Sequence, residues 1–117
     1  PDHPDTLRIR SSLANVYYAA GRYPDATRLF QEVLESRQRV LGPEHSDTLR
    51  SRGSLANSYR AAGQYDIAIR LHQEVLAGRE KVLGPDHTST RASRKNLEAA
   101  YRAAARAQPA KGTTEKP

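Results

Sequence analysis

Apolar residues recur every three or four positions along most of the chain, which is the spacing of one face of an α-helix. In the first stretch, the apolar and small residues that share a side are Leu13, Ala14, Tyr17, Ala20 and Gly21. In the second stretch, the corresponding stripe consists of Ala26, Leu29, Phe30, Val33, Leu34, Arg37 and Leu41. Two amphipathic stretches joined by a short turn predict a helical hairpin.

The hairpin occurs more than once, because the chain repeats itself with a period of 42 residues. Residues 1–42 and 43–84 are identical at 27 of 42 aligned positions. A period of ~20–50 residues is typical of stacked units that cannot bury their apolar faces alone. We therefore predict an all-α fold of tandem antiparallel helical hairpins, with repeat 1 at 1–42 and repeat 2 at 43–84.

Short polar residues, glycines and prolines mark the predicted helix ends. Asp5 and Asp47 stand where a side chain can accept hydrogen bonds from the free amides of a first turn, so we predict them as N-caps. Gly21 and Gly63 suit the turn inside each hairpin, and a Gly-Pro pair ends each second helix. These signals predict five helices, at about 5–20, 24–41, 47–62, 66–83 and 89–107.

The third unit departs from the first two after its first helix. Leu97 and Tyr101 keep their places, but Ala105 and Ala107 stand where the earlier units have the glycine and tyrosine of the turn. We therefore predict that residues 85–108 form a single helix that caps the array, as repeat arrays require at their ends. An arbitrary chain end is the alternative.

The two termini carry further expectations. Residues 109–117 begin with a proline and are short and polar, so we predict a disordered tail. The chain begins with Pro1, inside a linker whose Leu-Gly is missing. We therefore expect further repeats or another domain before it.

A set of positions shared by both repeats resembles a known family. These positions are Asn15, Tyr17, Gly21, Tyr23 and Ala26, and again Asn57, Tyr59, Gly63, Tyr65 and Ala68. The pattern resembles the tetratricopeptide repeat, and the 42-residue period with its Leu-Gly-Pro-x-His-x-Asp-Thr linker resembles the variety found in kinesin light chains and many bacterial proteins. The resemblance covers about residues 1–105 and implies a right-handed α-solenoid, a general scaffold for binding peptides and proteins.

The resemblance also implies a binding groove, because the first helices of tetratricopeptide superhelices line a concave face. A helical wheel places one stripe of each first helix opposite its packing side. From this stripe and its flanks we predict the peptide-binding residues Arg8, Asn15, Tyr18, Arg50, Asn57, Arg60, Lys95, Asn96 and Arg102. Asparagine pairs with a peptide backbone as donor and acceptor, whereas arginine and lysine suit carboxylates. The predicted ligand is therefore an extended, acidic peptide or protein segment. The alternative is a solvated face whose asparagines belong to the repeat pattern.

Arginine recurs on the packing side of the first helices, at Arg10, Arg52 and Arg94, where shorter tetratricopeptide repeats carry a large aromatic residue. A buried guanidinium is tolerated only when it is paired. We therefore predict a structural role for these arginines, in contact with Glu32 and Glu74, which also repeat, or with backbone carbonyls at helix ends.

Histidine recurs once per unit, at His3, His45 and His87. A shared metal site is disfavoured, because stacked hairpins hold equivalent residues roughly 10 Å apart while Zn–N bonds are ~2 Å long. We predict linker packing or capping for these histidines, and no metal. His72 replaces Phe30 in the second repeat and is predicted to be a variable edge position.

Composition excludes several function classes. The chain has no cysteine, methionine or tryptophan, so it can form neither a disulfide nor a thiolate zinc site. It has no apolar run of membrane-spanning length and no leader resembling a signal peptide, so we expect a soluble, cytoplasmic protein with no membrane partner. We find no phosphate-binding glycine loop, no matched pair of carboxylates and no nucleophile with a histidine partner, and therefore predict no enzyme activity and no cofactor.

The net charge of +6 is concentrated at the carboxyl end. Residues 1–42 and 43–84 each carry +1, and residues 85–117 carry +4. Only Tyr18 among the aromatic residues lies near the predicted groove, so nucleic-acid binding is disfavoured. Arginine outnumbers lysine 15 to 4, a composition typical of GC-rich bacterial genomes, and we predict a bacterial source.

Two function classes stay open. The first is a non-catalytic protein-interaction scaffold whose groove holds a segment of a partner. The alternative is a structural or self-assembly module, because nearly identical repeats present similar surfaces and can associate end to end or exchange helices.

Overall fold

The computed structural model describes residues 3–107, which form five α-helices and contain no strand. The helices are α1 (Pro4–Ala19), α2 (Tyr23–Leu41), α3 (Ser46–Ala61), α4 (Tyr65–Leu83) and α5 (Thr88–Ala107). Each packs against the next one in sequence across a short connection, so neighbours are antiparallel and the array is elongated, at 57 × 34 × 20 Å. The predicted all-α fold of tandem hairpins is confirmed.

The predicted helix positions agree with the structure to within one residue at each described end. Residue 108, the last of the predicted capping unit, and the predicted disordered tail at 109–117 lie outside the described residues, as do residues 1 and 2. Within residues 3–107, no helix is both long and apolar enough to cross a membrane.

A histidine imidazole caps each first helix by accepting a backbone hydrogen bond at Nδ1. The bonds come from the amides of Asp5 to His3 (3.1 Å), Asp47 to His45 (3.1 Å) and Ser89 to His87 (3.0 Å). Capping, one of the two roles predicted for these histidines, is therefore confirmed. The prediction that Asp5 and Asp47 are the N-caps is wrong, because both lie two residues after the cap, inside the first turn, and use their carboxylates to accept from an arginine three residues later.

Glycines with positive φ end the helices at Gly21, Gly42, Gly63 and Gly84. Gly42 follows α2 with φ 93° and ψ 160°, a conformation that is essentially restricted to glycine. Its amide still bonds to the carbonyl of Gln38, so the helix is closed and the chain reverses toward α3 within a few residues.

The core lies between consecutive helices and depends on small residues where two helices approach closely. The fully buried alanines are Ala14, Ala26, Ala56, Ala68 and Ala100. Around them, Phe30 and Leu34 of α2 pack with Leu55 of α3 in one cluster that joins the two repeats. Because this cluster spans both units, neither hairpin completes its core alone.

Four residues predicted on packing sides are exposed, namely Leu13, Ala20, Gly21 and Leu41. Ala20 and Leu41 lie at the ends of their helices, where the chain turns away. Leu13 differs, because its equivalent Leu55 is buried by α2, whereas nothing within the described residues covers the same side of α1.

Two of the three recurring arginines form the predicted contacts with Glu32 and Glu74 of the second helices. Arg10 Nη1 lies 3.8 Å from Glu32 Oε1, and Arg52 Nε lies 3.6 Å from Glu74 Oε1. Arg94 instead contacts Glu80 Oε2 at 3.5 Å, and donates to a linker carbonyl.

The burial of these arginines follows their place in the array. The Arg52 side chain is 11% exposed, because α3 lies between α2 and α4, whereas the side chains of Arg10 and Arg94 are 39% and 41% exposed on the end helices. Exposed ion pairs contribute little to stability. Of the three, Arg52 therefore has the largest structural role.

We predict opposite effects for two glycine-to-alanine substitutions. Gly42→Ala forces a side chain into a glycine-only conformation and should lower the free energy of unfolding by about 1–3 kcal/mol. Gly53→Ala lies inside α3, where an added Cβ meets open space, and should raise it by about 0.5–1 kcal/mol. Urea unfolding of both variants measures the two changes. If the free energy of unfolding changed in the same direction in both, the glycine-only conformation assigned to Gly42 would be contradicted.

Candidate peptide-binding groove

Three predicted binding residues meet in a pocket between the repeats. The lining consists of Asn15, Tyr18, Phe30, Ser54 and Asn57, contributed by α1, α2 and α3. Phe30 forms the buried floor, and the amides of Asn15 and Asn57 have no hydrogen-bond partner within residues 3–107. The pocket therefore offers two free amide groups beside an aromatic surface.

The Tyr18 ring is held in place by a neighbour. It meets the Tyr23 ring edge to face, with centroids 5.5 Å apart and an interplanar angle of 67°. Because Tyr23 begins α2, this contact ties the pocket wall to the hairpin turn and limits the rotamers of Tyr18.

The corresponding positions of the next repeat have a different chemistry. Arg60 stands in the place of Tyr18, and His72 in the place of Phe30. His72 is 1% exposed, and its Nε2 and the Nε of Arg60 are both buried without a hydrogen-bond partner among the described residues. The second repeat therefore has a guanidinium and an imidazole at the positions where the first repeat has two aromatic rings.

The prediction that His72 is a variable edge position is wrong. It occupies the core place of Phe30, because α4 packs against α3 and α5 as α2 packs against α1 and α3. The alignment of the two repeats already placed His72 over Phe30, so the signal for burial was present in the sequence.

Burial, reinforced by the charge of Arg60, lowers the pKa of His72 from 6.5 to about 4. The imidazole is therefore neutral at neutral pH, with one N–H donor and one acceptor nitrogen. A neutral ring costs less to bury than an imidazolium, which explains how histidine is accommodated at a core position.

Arg8 and Arg50 come together in a second pocket, where α1 and α3 begin. Its lining also includes Leu7, Val40 and Asp47. Each guanidinium is already engaged within its own helix, Arg8 with the carboxylate three residues before it and Arg50 with Asp47 at 2.9 Å. Their positive charge is therefore partly neutralised.

The three remaining predicted residues lie on the exposed surface of α5, outside both pockets. They are Lys95, Asn96 and Arg102. Arg102 Nη2 lies 3.9 Å from Glu98 Oε1 in the preceding turn. The structure therefore does not gather all nine predicted residues into one site.

Metal-binding geometry is not found in the described residues. Within 3–107, no three histidine, aspartate or glutamate side chains gather closely enough to hold a metal ion. The repeated histidines use Nδ1 for helix capping instead.

Antiparallel helical hairpins stacked in tandem define the class of protein. A profile of the tetratricopeptide repeat family matches residues 5–81 and 51–113. The chain belongs to the tetratricopeptide repeat family. Repeats of this family generally mediate protein–protein interaction and serve as non-enzymatic scaffolds.

Individual relatives point to kinesin light chain-like repeats. Two crystal structures of nearly identical TPR-like repeats, from a candidate kinesin light chain of Podosopora anserina, are each 34% identical to this chain, with TM-scores of 0.81 and 0.79. They cover 98% and 97% of this chain, which spans 54% of each of those chains. Among curated proteins, Protein KINESIN LIGHT CHAIN-RELATED 2 of Arabidopsis thaliana is 45% identical over 42 residues, which are 36% of this chain and 6% of that protein. The predicted family is confirmed, and the bacterial source stays a prediction.

We predict a pH-dependent stability that depends on His72. Between pH 6.5 and about 4 the unfolded chain holds a proton on this imidazole that the folded chain does not, so stability falls as the pH decreases through this window. His72→Phe introduces the residue of position 30 and removes this loss. The free energy of unfolding of this variant minus that of the original chain should be larger at pH 4.5 than at pH 7, by roughly 1–3 kcal/mol. Urea unfolding at both pH values measures the difference, and parallel pH profiles would contradict it.

Proposed function

We propose that this protein is a non-catalytic interaction scaffold whose groove binds an extended, acidic peptide or protein segment. The observation that carries the proposal is the convergence of Asn15, Tyr18 and Asn57 on one pocket, with two amides free to bond. An extended peptide has unpaired backbone donors and acceptors at regular intervals, which side-chain amides can satisfy.

The preference for acidic ligands depends mainly on Arg60 and Lys95. Arg8, Arg50 and Arg102 each have a carboxylate beside them and contribute less. Arg60 is half-buried and lies three residues after Asn57 on α3, and at a half-buried position a charge-assisted hydrogen bond to a ligand carboxylate is stronger than in water.

The proposal includes the division of the chain into repeats at 1–42 and 43–84 and a capping helix at 85–108. Support for the cap comes from α5, where Arg91 and Glu98 are exposed at positions that are Leu49 and Ala56 in α3. Both α3 residues are buried against α4. A polar outer face suits a terminal helix, and it disfavours end-to-end stacking of two copies through α5.

Binding of acidic peptides to groove variants tests the proposed function. We expect Asn57→Ala to weaken binding by about fivefold through loss of a neutral hydrogen bond, and Arg60→Glu by about tenfold or more through charge reversal. Titration of a fluorescent acidic peptide library, followed by anisotropy, measures both effects.

Arg70→Glu is the matched control for this experiment. It makes the same charge change at an exposed position on α4, outside the groove residues, and should leave the affinity unchanged. Equal affinities of the Asn57→Ala, Arg60→Glu and original chains would overturn the groove assignment.

A further inference from the structure

Three apolar side chains on α1 are uncovered and lie on one side of the helix. Ile9, Leu13 and Val16 are 68%, 45% and 62% exposed. Their spacing of four and three residues places them in one stripe, which we name the α1 outer face. This face points away from α2, the packing partner of α1.

The same stripe is covered in the other two first helices. In α3 it consists of Ser51, Leu55 and Ser58, which are all buried, and α2 is the helix of the preceding repeat that packs there. In α5 the first and last positions, Ser93 and Ala100, are likewise buried against α4. The α1 outer face is therefore the third member of a series whose other two members each bind an antiparallel helix.

The first contact in this series joins an arginine to a serine 14 residues later. Arg37 Nη1 donates to Ser51 Oγ at 2.8 Å, and Arg79 Nη1 donates to Ser93 Oγ at 2.8 Å. In α1 the serine is replaced by Ile9, which offers no acceptor. An arginine facing Ile9 would be covered without this partner, which is unfavourable.

In the second contact of this series, both facing residues are polar at one interface and both are apolar at the next. Thr27 Oγ1 and Ser58 Oγ are hydrogen-bonded at 2.7 Å between α2 and α3. At the corresponding positions of the next interface, both residues are apolar, Ile69 and Ala100. At each interface the two facing residues are either both polar or both apolar. We therefore expect an apolar residue opposite Val16.

The third contact is conserved in kind between the two interfaces. Arg52 Nη2 donates to Gln38 Oε1 at 3.1 Å, and Arg94 Nη2 donates to Glu80 Oε2 at 3.5 Å. Arg10 holds the same place at the edge of the α1 outer face, with its side chain 39% exposed. We therefore expect a glutamine or glutamate, as acceptor for Arg10, on the helix that covers this face.

We propose that the α1 outer face binds the second helix of a further hairpin, antiparallel to α1, whose sequence differs from α2 and α4 at the first contact. That helix carries an apolar residue in place of the arginine opposite Ile9. It also carries an apolar residue opposite Val16, and glutamine or glutamate opposite Arg10. The proposal is independent of what the groove binds, because the groove residues of α1 lie on a different side of the helix.

The proposal is tested with two helical peptides and the full chain. One peptide has the sequence of α4, Tyr65–Leu83, and the other has the same sequence with Arg79→Leu. Both are linked between exposed side chains, because a free helix of 19 residues is only marginally stable in water. We expect the Arg79→Leu peptide to bind about tenfold tighter by fluorescence anisotropy, because only the unchanged peptide buries an arginine without an acceptor.

A reciprocal substitution in the protein distinguishes this contact from non-specific hydrophobic binding of the peptides. Ile9→Ser restores the serine of α3 and α5, so it should reverse the preference and favour the unchanged peptide by a similar factor. Val82→Ser is the matched control, because it removes an exposed apolar residue of α4 far along the array and should change neither affinity. Circular dichroism checks that each variant keeps its helices.

Three outcomes would overturn the proposal. The first is no binding of either peptide to the folded chain, and the second is a preference that Ile9→Ser leaves unchanged. The third is a dimer, seen by light scattering, that Ile9→Ser abolishes and that the peptides do not displace. In that case the α1 outer face would belong to a second copy of this chain.

Discussion

Packing of the first helices against second helices, on both sides in the case of α3, is the constraint on which the rest of the structure depends. A single α-helix of this kind offers two packing sides, and α3 uses both, one against α2 and one against α4. Fully buried alanines, among them Ala14, Ala26, Ala56 and Ala68, let the helices approach closely enough for this. Because each interface needs the next unit, stability is shared along the array and no hairpin has a core of its own.

The same constraint decides which positions are available for binding. In α3 both packing sides are occupied, so only the stripe between them is open to a ligand, and Asn57 lies on this stripe as Asn15 does on the equivalent stripe of α1. The second helix of the first repeat contributes Phe30 to the pocket lining, and the equivalent position of the next repeat is the buried His72. The exchange of Phe30 for His72 replaces an aromatic hydrocarbon ring with a neutral imidazole at the same core position without changing the fold, so repeats of common architecture can carry different side-chain chemistry.

Local signals in the sequence predicted helix positions well and cap identities less well. Asp5 has the correct chemistry for an N-cap, yet the imidazole of His3 takes that role, because the linker brings Nδ1 within 3.1 Å of the amide. The exposure of Leu13 was not predictable from helical periodicity, since the pattern reports which residues share a side and not whether a neighbour covers it. The burial of His72 was predictable from its alignment with Phe30, but a polar residue type suggested an edge.

The sequence by itself determined the repeat, the hairpins, the turns and the family, because these depend on spacing along the chain and on local backbone preferences. It also predicted the arginine–glutamate contacts, since both partners recur with the same period. Only the tertiary structure decided which apolar stripe stays uncovered, which arginines are shielded from water, and which predicted binding residues meet in one pocket. Burial and convergence depend on neighbours supplied by other helices, and a periodic pattern contains no information about how many neighbours each helix has.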